Sequence, residues 1–123
     1  MKSVLRIDTA DIRGQTSALR VAGDMDLATV SVLEHTVDAA LGDHRTVILD
    51  LTGVAFCDSS GLNTLIRLRR RAQDSGGRLI LAAPPPQMMR LLTVTGARNV
   101  FAVYGSLVEA WQAHPVPGSP PTA

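Results

Sequence analysis

Two stretches of this chain, Thr46-Val47-Ile48-Leu49-Asp50-Leu51 and Arg78-Leu79-Ile80-Leu81-Ala82-Ala83, are nearly unbroken apolar runs with little alternation. A strand with one wet face alternates apolar and polar residues; a strand covered on both faces does not. Between the two runs, Leu62, Leu65, Ile66 and Ala72 recur at helical spacing, and Arg67, Arg70 and Arg71 fall mainly off that face. A buried strand, an amphipathic helix and a second buried strand imply a parallel pair joined by a crossover helix. That unit constrains everything around it.

The flanking segments extend the pattern. Val4–Ile7 and Ala18–Ala22 read as short strands with turn residues between them. From Leu27 the apolar positions Leu27, Val30, Leu33, Val37, Ala40 and Leu41 share one helical face, with Asp26 as the expected N-cap and Gly42 as the stop. Thr52-Gly53 reads as a turn, and Gly76-Gly77 ends the second helix. Pro84-Pro85-Pro86 ends the strand before it. Met88, Leu91, Leu92 and Thr95 mark a third helix closed by Gly96, Val100–Tyr104 a last strand, and Leu107, Ala110 and Trp111 a fourth helix. The expected fold is α/β: a mostly parallel sheet of about five strands with an antiparallel edge, packed against about four helices, over residues 1–113. Residues 114–123, rich in proline, are expected to be a disordered tail.

Composition excludes several function classes. Twelve basic and eleven acidic residues leave a net charge of +1, and aromatics are 3% of the chain. There is no electrostatic footprint for nucleic acid and little to stack bases on. Cys57 is the only cysteine, so no intramolecular disulfide can form. No apolar run approaches the roughly 20 residues that span a bilayer, and the first residues carry no apolar stretch like that of a signal peptide. The expected location is the cytoplasm, without direct membrane insertion.

The chemistry-bearing residues concentrate at one strand-to-helix turn, Cys57-Asp58-Ser59-Ser60-Gly61-Leu62. Asp58, Ser59 or Ser60 could cap the helix, a contribution of about 1 kcal/mol. A nucleophilic serine would need a base and an orienting group. The hydrolase elbow G-x-S-x-G lacks its first glycine here, and His35, His44 and His114 sit in a helix, a turn and the expected tail. A phosphate-binding P-loop needs a lysine, and Lys2 is the only one. A phospho-aspartate receiver centred on Asp50 lacks the same residue. No spaced His/Cys set suggests a metal. The last reading makes Ser60 a phosphorylation substrate: a helix start tolerates the added charge of about −1.5 to −2.

At these residues the chain resembles the STAS domain of bacterial anti-sigma-factor antagonists. Asp58-Ser59-Ser60-Gly61-Leu62, preceded by Leu49-Asp50-Leu51-Thr52-Gly53-Val54, is similar to that family's signature, and Gly23-Asp24-Met25-Asp26, about 35 positions earlier, to its G-E-L-D motif. The resemblance in element order runs from about Val4 to Trp111. It implies a partner switch. The unphosphorylated protein would bind an anti-sigma factor that is itself an ATP-using serine/threonine kinase, freeing the sigma factor. Phosphorylation of Ser60 would abolish binding, and a serine phosphatase would restore it. The chain would be a binding module and kinase substrate rather than an enzyme, with no catalytic residues, cofactor or metal of its own. Asp26, Asp58, Ser59, Gly61, Leu62 and Asn63 would form the partner-facing loops, with Asp26 beside Ser60.

Asn63 stands where the family often has a further glycine, and Asp24 where it has glutamate. The alternative of another class is a STAS accessory subunit of a membrane transporter, such as a lipid-trafficking ABC system. Cys57 reads as a small buried hydrophobe, the arginines 67–71 as a solvated helix face, Met88 and Met89 as divided between core and surface, and Trp111 as a packing anchor.

Overall fold

The computed structural model describes residues 2–115. Its elements follow the order β1 (Leu5–Arg13), β2 (Thr16–Met25), α1 (Val30–Asp43), β3 (Thr46–Cys57), α2 (Ser59–Asp74), β4 (Arg78–Ala82), α3 (Pro86–Thr95), a 3-10 turn (Ala97–Asn99), β5 (Ala102–Tyr104) and α4 (Leu107–Ala113). The five strands lie side by side in chain order. β1 pairs antiparallel with β2 at the edge, and every later pair is parallel. This is the expected architecture. The expected tail falls largely on residues 116–123, outside the described residues.

Period-two alternation sorts the strand side chains onto two faces. Val47, Leu49 and Leu51 of β3 and Leu79 and Leu81 of β4 join Leu33, Val37, Leu65, Leu68, Met88 and Leu92 in the main core, so α1, α2 and α3 cover one face. Ile48, Ile80, Ala18 and Ala82 point the other way and pack against Ala110 and Trp111 of α4. The unbroken apolar runs of β3 and β4 have this cause: both faces are covered. Met88 is fully buried, Met89 is partly buried against the same core, and Trp111 anchors α4.

Several boundaries differ from the sequence expectation. β1 runs on to Arg13 and β2 spans Thr16–Met25, both longer than the expected Val4–Ile7 and Ala18–Ala22, and Gly42 lies inside α1 instead of ending it. Thr52-Gly53 does not turn the chain; β3 runs straight through it, and its register with β2 shifts between Arg20 and Ala22. A Cβ on Gly53 would lie 2.9 Å from the Ala22 Cβ and 3.1 Å from the Val21 carbonyl oxygen, so glycine here permits a close approach at an irregularity. Asp50 is therefore mid-strand, and its carboxylate accepts from the Thr52 N–H (3.1 Å) and hydroxyl (2.6 Å). α1 begins at Val30 rather than Leu27, and Leu27 is 77% exposed instead of core-facing. β5 starts at Ala102, because a 3-10 turn takes up residues 97–99. Gly96, at φ 78°, ends α3 in the left-handed conformation that favours glycine.

Candidate functional site

The site is built where β2 and β3 end together. Met25 and Cys57 are paired in the sheet, and the Asp58 N–H donates to the Met25 carbonyl at 3.1 Å. α2 starts at once. Asp58 is its N-cap: one carboxylate oxygen accepts from the Ser60 N–H (2.9 Å) and the Gly61 N–H (3.1 Å). Of the three capping candidates, Asp58 takes the role, which leaves both serine hydroxyls unused by the cap.

Ser59 is exposed and Ser60 half-buried on the first turn. The Ser60 carbonyl accepts from the Thr64 hydroxyl at 2.9 Å, while its own Oγ hydrogen-bonds to no described residue. Among the described residues no buried side-chain nitrogen or oxygen lacks a partner. An unpartnered Oγ on a half-buried residue must therefore reach solvent. Gly61 and Leu62 are buried beneath this turn and Asn63 is exposed. Gly61 is pressed on the end of β2: a Cβ there would lie 2.5 Å from the Met25 carbonyl oxygen.

Asp26 follows Met25 directly, so the topology brings its loop to the same sheet edge as Ser60. It is not the N-cap of α1; Thr29 occupies that position. Asp26 closes its own turn instead, its carboxylate accepting from the Ala28 N–H at 3.0 Å and its N–H donating to the Thr29 hydroxyl at 3.1 Å. The Thr29 hydroxyl in turn donates to the Asp24 carbonyl at 2.7 Å. This turn uses the three residues after Met25 and delays the helix, which is why Leu27 faces outward. No hydrogen bond joins Asp26 to Ser60 among the described residues.

Three contributors escape a reading of local sequence. Gln87, on the first turn of α3, clamps the end of β3: its Oε1 accepts from the Cys57 N–H (2.9 Å) and its Nε2 donates to the Cys57 carbonyl (2.8 Å). The side chain replaces the neighbouring strand that β3 lacks once β4 has ended at Ala82. The 30-residue separation leaves no local signal for it. Leu27 and Phe56, the latter 45% exposed, place apolar surface beside the loops. Phe56 is paired with Asp24 in the sheet, one row before Met25 and Cys57. Cys57 is fully buried, and burial together with the neighbouring Asp58 charge pushes its thiol up to about 12. It is a packed, inert group rather than a nucleophile.

Further along α2, Arg71 is held by Glu34 (2.6 Å) and Asp38 of α1, and these carboxylates raise its pKa further. Arg67 donates to the Thr64 hydroxyl at 3.2 Å and lies 3.9 Å from Glu34. His44 is engaged with the Ala40 carbonyl and His114 with Tyr104, away from the serines. Among the described residues no group of three His, Cys, Asp or Glu could hold a metal ion, and no helix is long and apolar enough to cross a membrane.

A family model described as “Mlab, STAS domain” matches residues 9–109. The chain belongs to the STAS domain family. A relative from Paenibacillus polymyxa named anti-sigma F factor antagonist is 26% identical over 108 residues, covering 86% of this chain and 92% of the relative. The crystal structure of an anti-sigma factor antagonist from Mycobacterium paratuberculosis superposes with a TM-score of 0.80 at 26% identity, over 89% of this chain and 93% of that one. The phosphorylated form of the Bacillus cell fate determinant SpoIIAA shares the fold, with a TM-score of 0.67 at 23% identity over 85% and 96% of the two chains.

Proposed function

We propose that this STAS domain is an anti-sigma-factor antagonist switched at Ser60. In its unphosphorylated form it binds an anti-sigma factor that is also an ATP-using serine kinase, and so releases the sigma factor. Phosphorylation of Ser60 ends the association, and a serine phosphatase restores it. The phosphoryl transfer is performed by the partner; this chain contributes the acceptor hydroxyl. Such partners place it in the cytoplasm.

The observation that carries this reading is the Ser60 hydroxyl: unpartnered, open to solvent and on the first turn of α2, with capping already done by Asp58. Leu27 and Phe56 expose apolar surface at the same sheet edge, as a protein-binding face would. A phosphate adds about −1.5 to −2 charge beside Asp58. A partner covering this edge would then have to strip water from two neighbouring anions, which is costly when neither has a cation opposite. The helix dipole favours the new charge, so the fold tolerates what the interface does not. Asp26, Ser59 and Asn63 border the same face, and Gly61 and Leu62 seat the turn on β2.

The test is binding of wild type, Ser60→Ala and Ser60→Asp to kinase-type anti-sigma factors from the source genome. Wild type and Ser60→Ala should bind, and Ser60→Asp should bind at least about tenfold more weakly. Equal binding by Ser60→Asp would overturn the switch. Co-purification with a membrane ATPase complex in place of a soluble kinase would replace this reading with that of a transporter accessory subunit.

A further inference from the structure

β3 outlasts its neighbour. Its pairing with β4 ends where Asp50 meets Ala82, and the strand runs on to Cys57. Beyond that point the edge of β3 turned away from β2 has no strand beside it. Unpaired backbone groups at a buried strand end are costly, and Cys57 is fully buried. One side chain satisfies both of its backbone groups. The Cys57 N–H donates to Gln87 Oε1 at 2.9 Å, and Gln87 Nε2 donates to the Cys57 carbonyl at 2.8 Å. A side-chain amide carries an acceptor and a donor side by side, as a neighbouring strand would.

The base of this clamp is stiff. Gln87 follows Pro84, Pro85 and Pro86, whose rings lock φ. Pro85 is the N-cap of α3 and Pro86 its first residue. Ala83, just before them, is held at φ 53° with its N–H on the Tyr104 carbonyl at 2.8 Å. Met88 and Leu92 of the same helix are fully buried in the core that contains Cys57, Leu62 and Leu65. α3 cannot slide without disturbing that core, and Gln87 transmits its fixed position to β3.

The next link is covalent. The Cys57 carbonyl and the Asp58 N–H belong to one planar peptide. Gln87 grips its oxygen, and the Met25 carbonyl accepts from its N–H at 3.1 Å. That peptide aims Asp58, whose carboxylate accepts from the Ser60 and Gly61 N–H groups and so sets the first turn of α2. The direction of the Ser60 hydroxyl follows from that turn.

We infer that Gln87 is a positioning residue for phosphoryl transfer to Ser60: its amide fixes the Cys57–Asp58 peptide, and through it the cap and the hydroxyl. Its side chain hydrogen-bonds to Cys57 alone among the described residues, so it acts through Cys57 and Asp58. The inference rests on the Ser60 switch proposed above, and adds that α3, outside the serine motif, sets how the acceptor is offered. Displacing a reacting group by about 1 Å can cost about a hundredfold in rate.

The experiment compares wild type with Gln87→Met, close in size but without either hydrogen-bonding group, and with Ile48→Val, a core change on the α4 face. Amide hydrogen exchange of the free full chain is read first. Cys57, Ser60 and Gly61 should exchange at least about tenfold faster in Gln87→Met, while Ile48 and Leu49, in the paired middle of β3, change less. Ile48→Val should not single out those three amides. Initial rates of Ser60 phosphorylation are read next, with a kinase-type anti-sigma factor that labels the wild type. In Gln87→Met kcat should fall at least about tenfold and KM change less than about twofold, because orientation is lost while the exposed Leu27 and Phe56 remain. Ile48→Val should turn over as wild type does. Gln87→Glu keeps the acceptor for the Cys57 N–H and loses the donor to the carbonyl. It should protect the Cys57 amide yet slow the transfer, which a merely structural role would not do. Unchanged exchange at Ser60 and Gly61, or a kcat equal to wild type, in both Gln87 variants would overturn the role of Gln87 and leave Ser60 as the acceptor. Equal slowing by Ile48→Val would overturn it too, since lost stability would then be the cause. A wild type that takes no phosphate on Ser60 would overturn the switch itself, and this role with it.

Discussion

Gly61→Ala tests how tightly the candidate site is seated on the sheet. In an open helix this change stabilises, by about 0.5–1 kcal/mol, because alanine loses less backbone freedom on folding. At position 61 the new Cβ would lie 2.5 Å from the Met25 carbonyl oxygen, 3.0 Å from its carbon and 3.0 Å from the Met25 Cβ. The carbonyl cannot swing aside without losing the 3.1 Å hydrogen bond from Asp58. The first turn of α2 must lift instead. Overpacking of this kind costs about 1–3 kcal/mol, and weakening the Asp58 bond adds about 1 kcal/mol. Together these outweigh the propensity gain, so the expected net loss is about 2 kcal/mol, or a Tm lower by about 8 °C for a domain of this length. Urea unfolding followed by circular dichroism should show a lower midpoint at unchanged slope. A Gly61→Ala protein as stable as wild type would refute the close seating of α2 on β2.

Gly42→Ala, within α1 and with nothing within 4 Å of the new Cβ, should instead stabilise by about 0.5–1 kcal/mol in the same assay. Asp58→Ala removes the acceptor of two backbone N–H groups and should cost about 1 kcal/mol; no loss would mean that a serine takes over the cap. Cys57 has a folded pKa raised to about 12 from 9.0, so the folded state keeps its proton to higher pH than the unfolded chain does. Its contribution is whole below about pH 9 and is lost as pH rises from there toward 12, at up to about 1.4 kcal/mol per unit. Cys57→Ala should flatten that part of the stability curve, and a wild-type thiol that reacts at once with a disulfide reagent at pH 8 would contradict its burial.

Much of the fold was legible because the strongest signals were redundant. Unbroken apolar runs at 46–51 and 78–83 marked strands covered on both faces, and α4 supplies the second cover. The boundaries that slipped did so where tertiary contacts overrode local pattern. Thr52-Gly53 looks like a turn, yet the glycine serves a close approach to Ala22 inside a long strand. Leu27 fits the helical face of α1 in spacing, but the turn closed by Asp26 and Thr29 postpones the helix by three residues. At the site, the motif exposed Asp58, Ser59 and Ser60, while the division of labour among them needed geometry: one carboxylate accepts both N–H groups. Gln87 was invisible, because its contact depends on where β4 stops beside β3. His114, placed by composition with the tail, is tied to Tyr104 and Arg78 by contacts no local pattern encodes.

The most direct measurement is to incubate the protein with ATP and kinase-type anti-sigma factors from its own genome and locate the phosphate by mass spectrometry. The account predicts a single phosphate on Ser60, none on Ser59, and no incorporation into Ser60→Ala. Phosphate on Ser59, or undiminished labelling of Ser60→Ala, would contradict it.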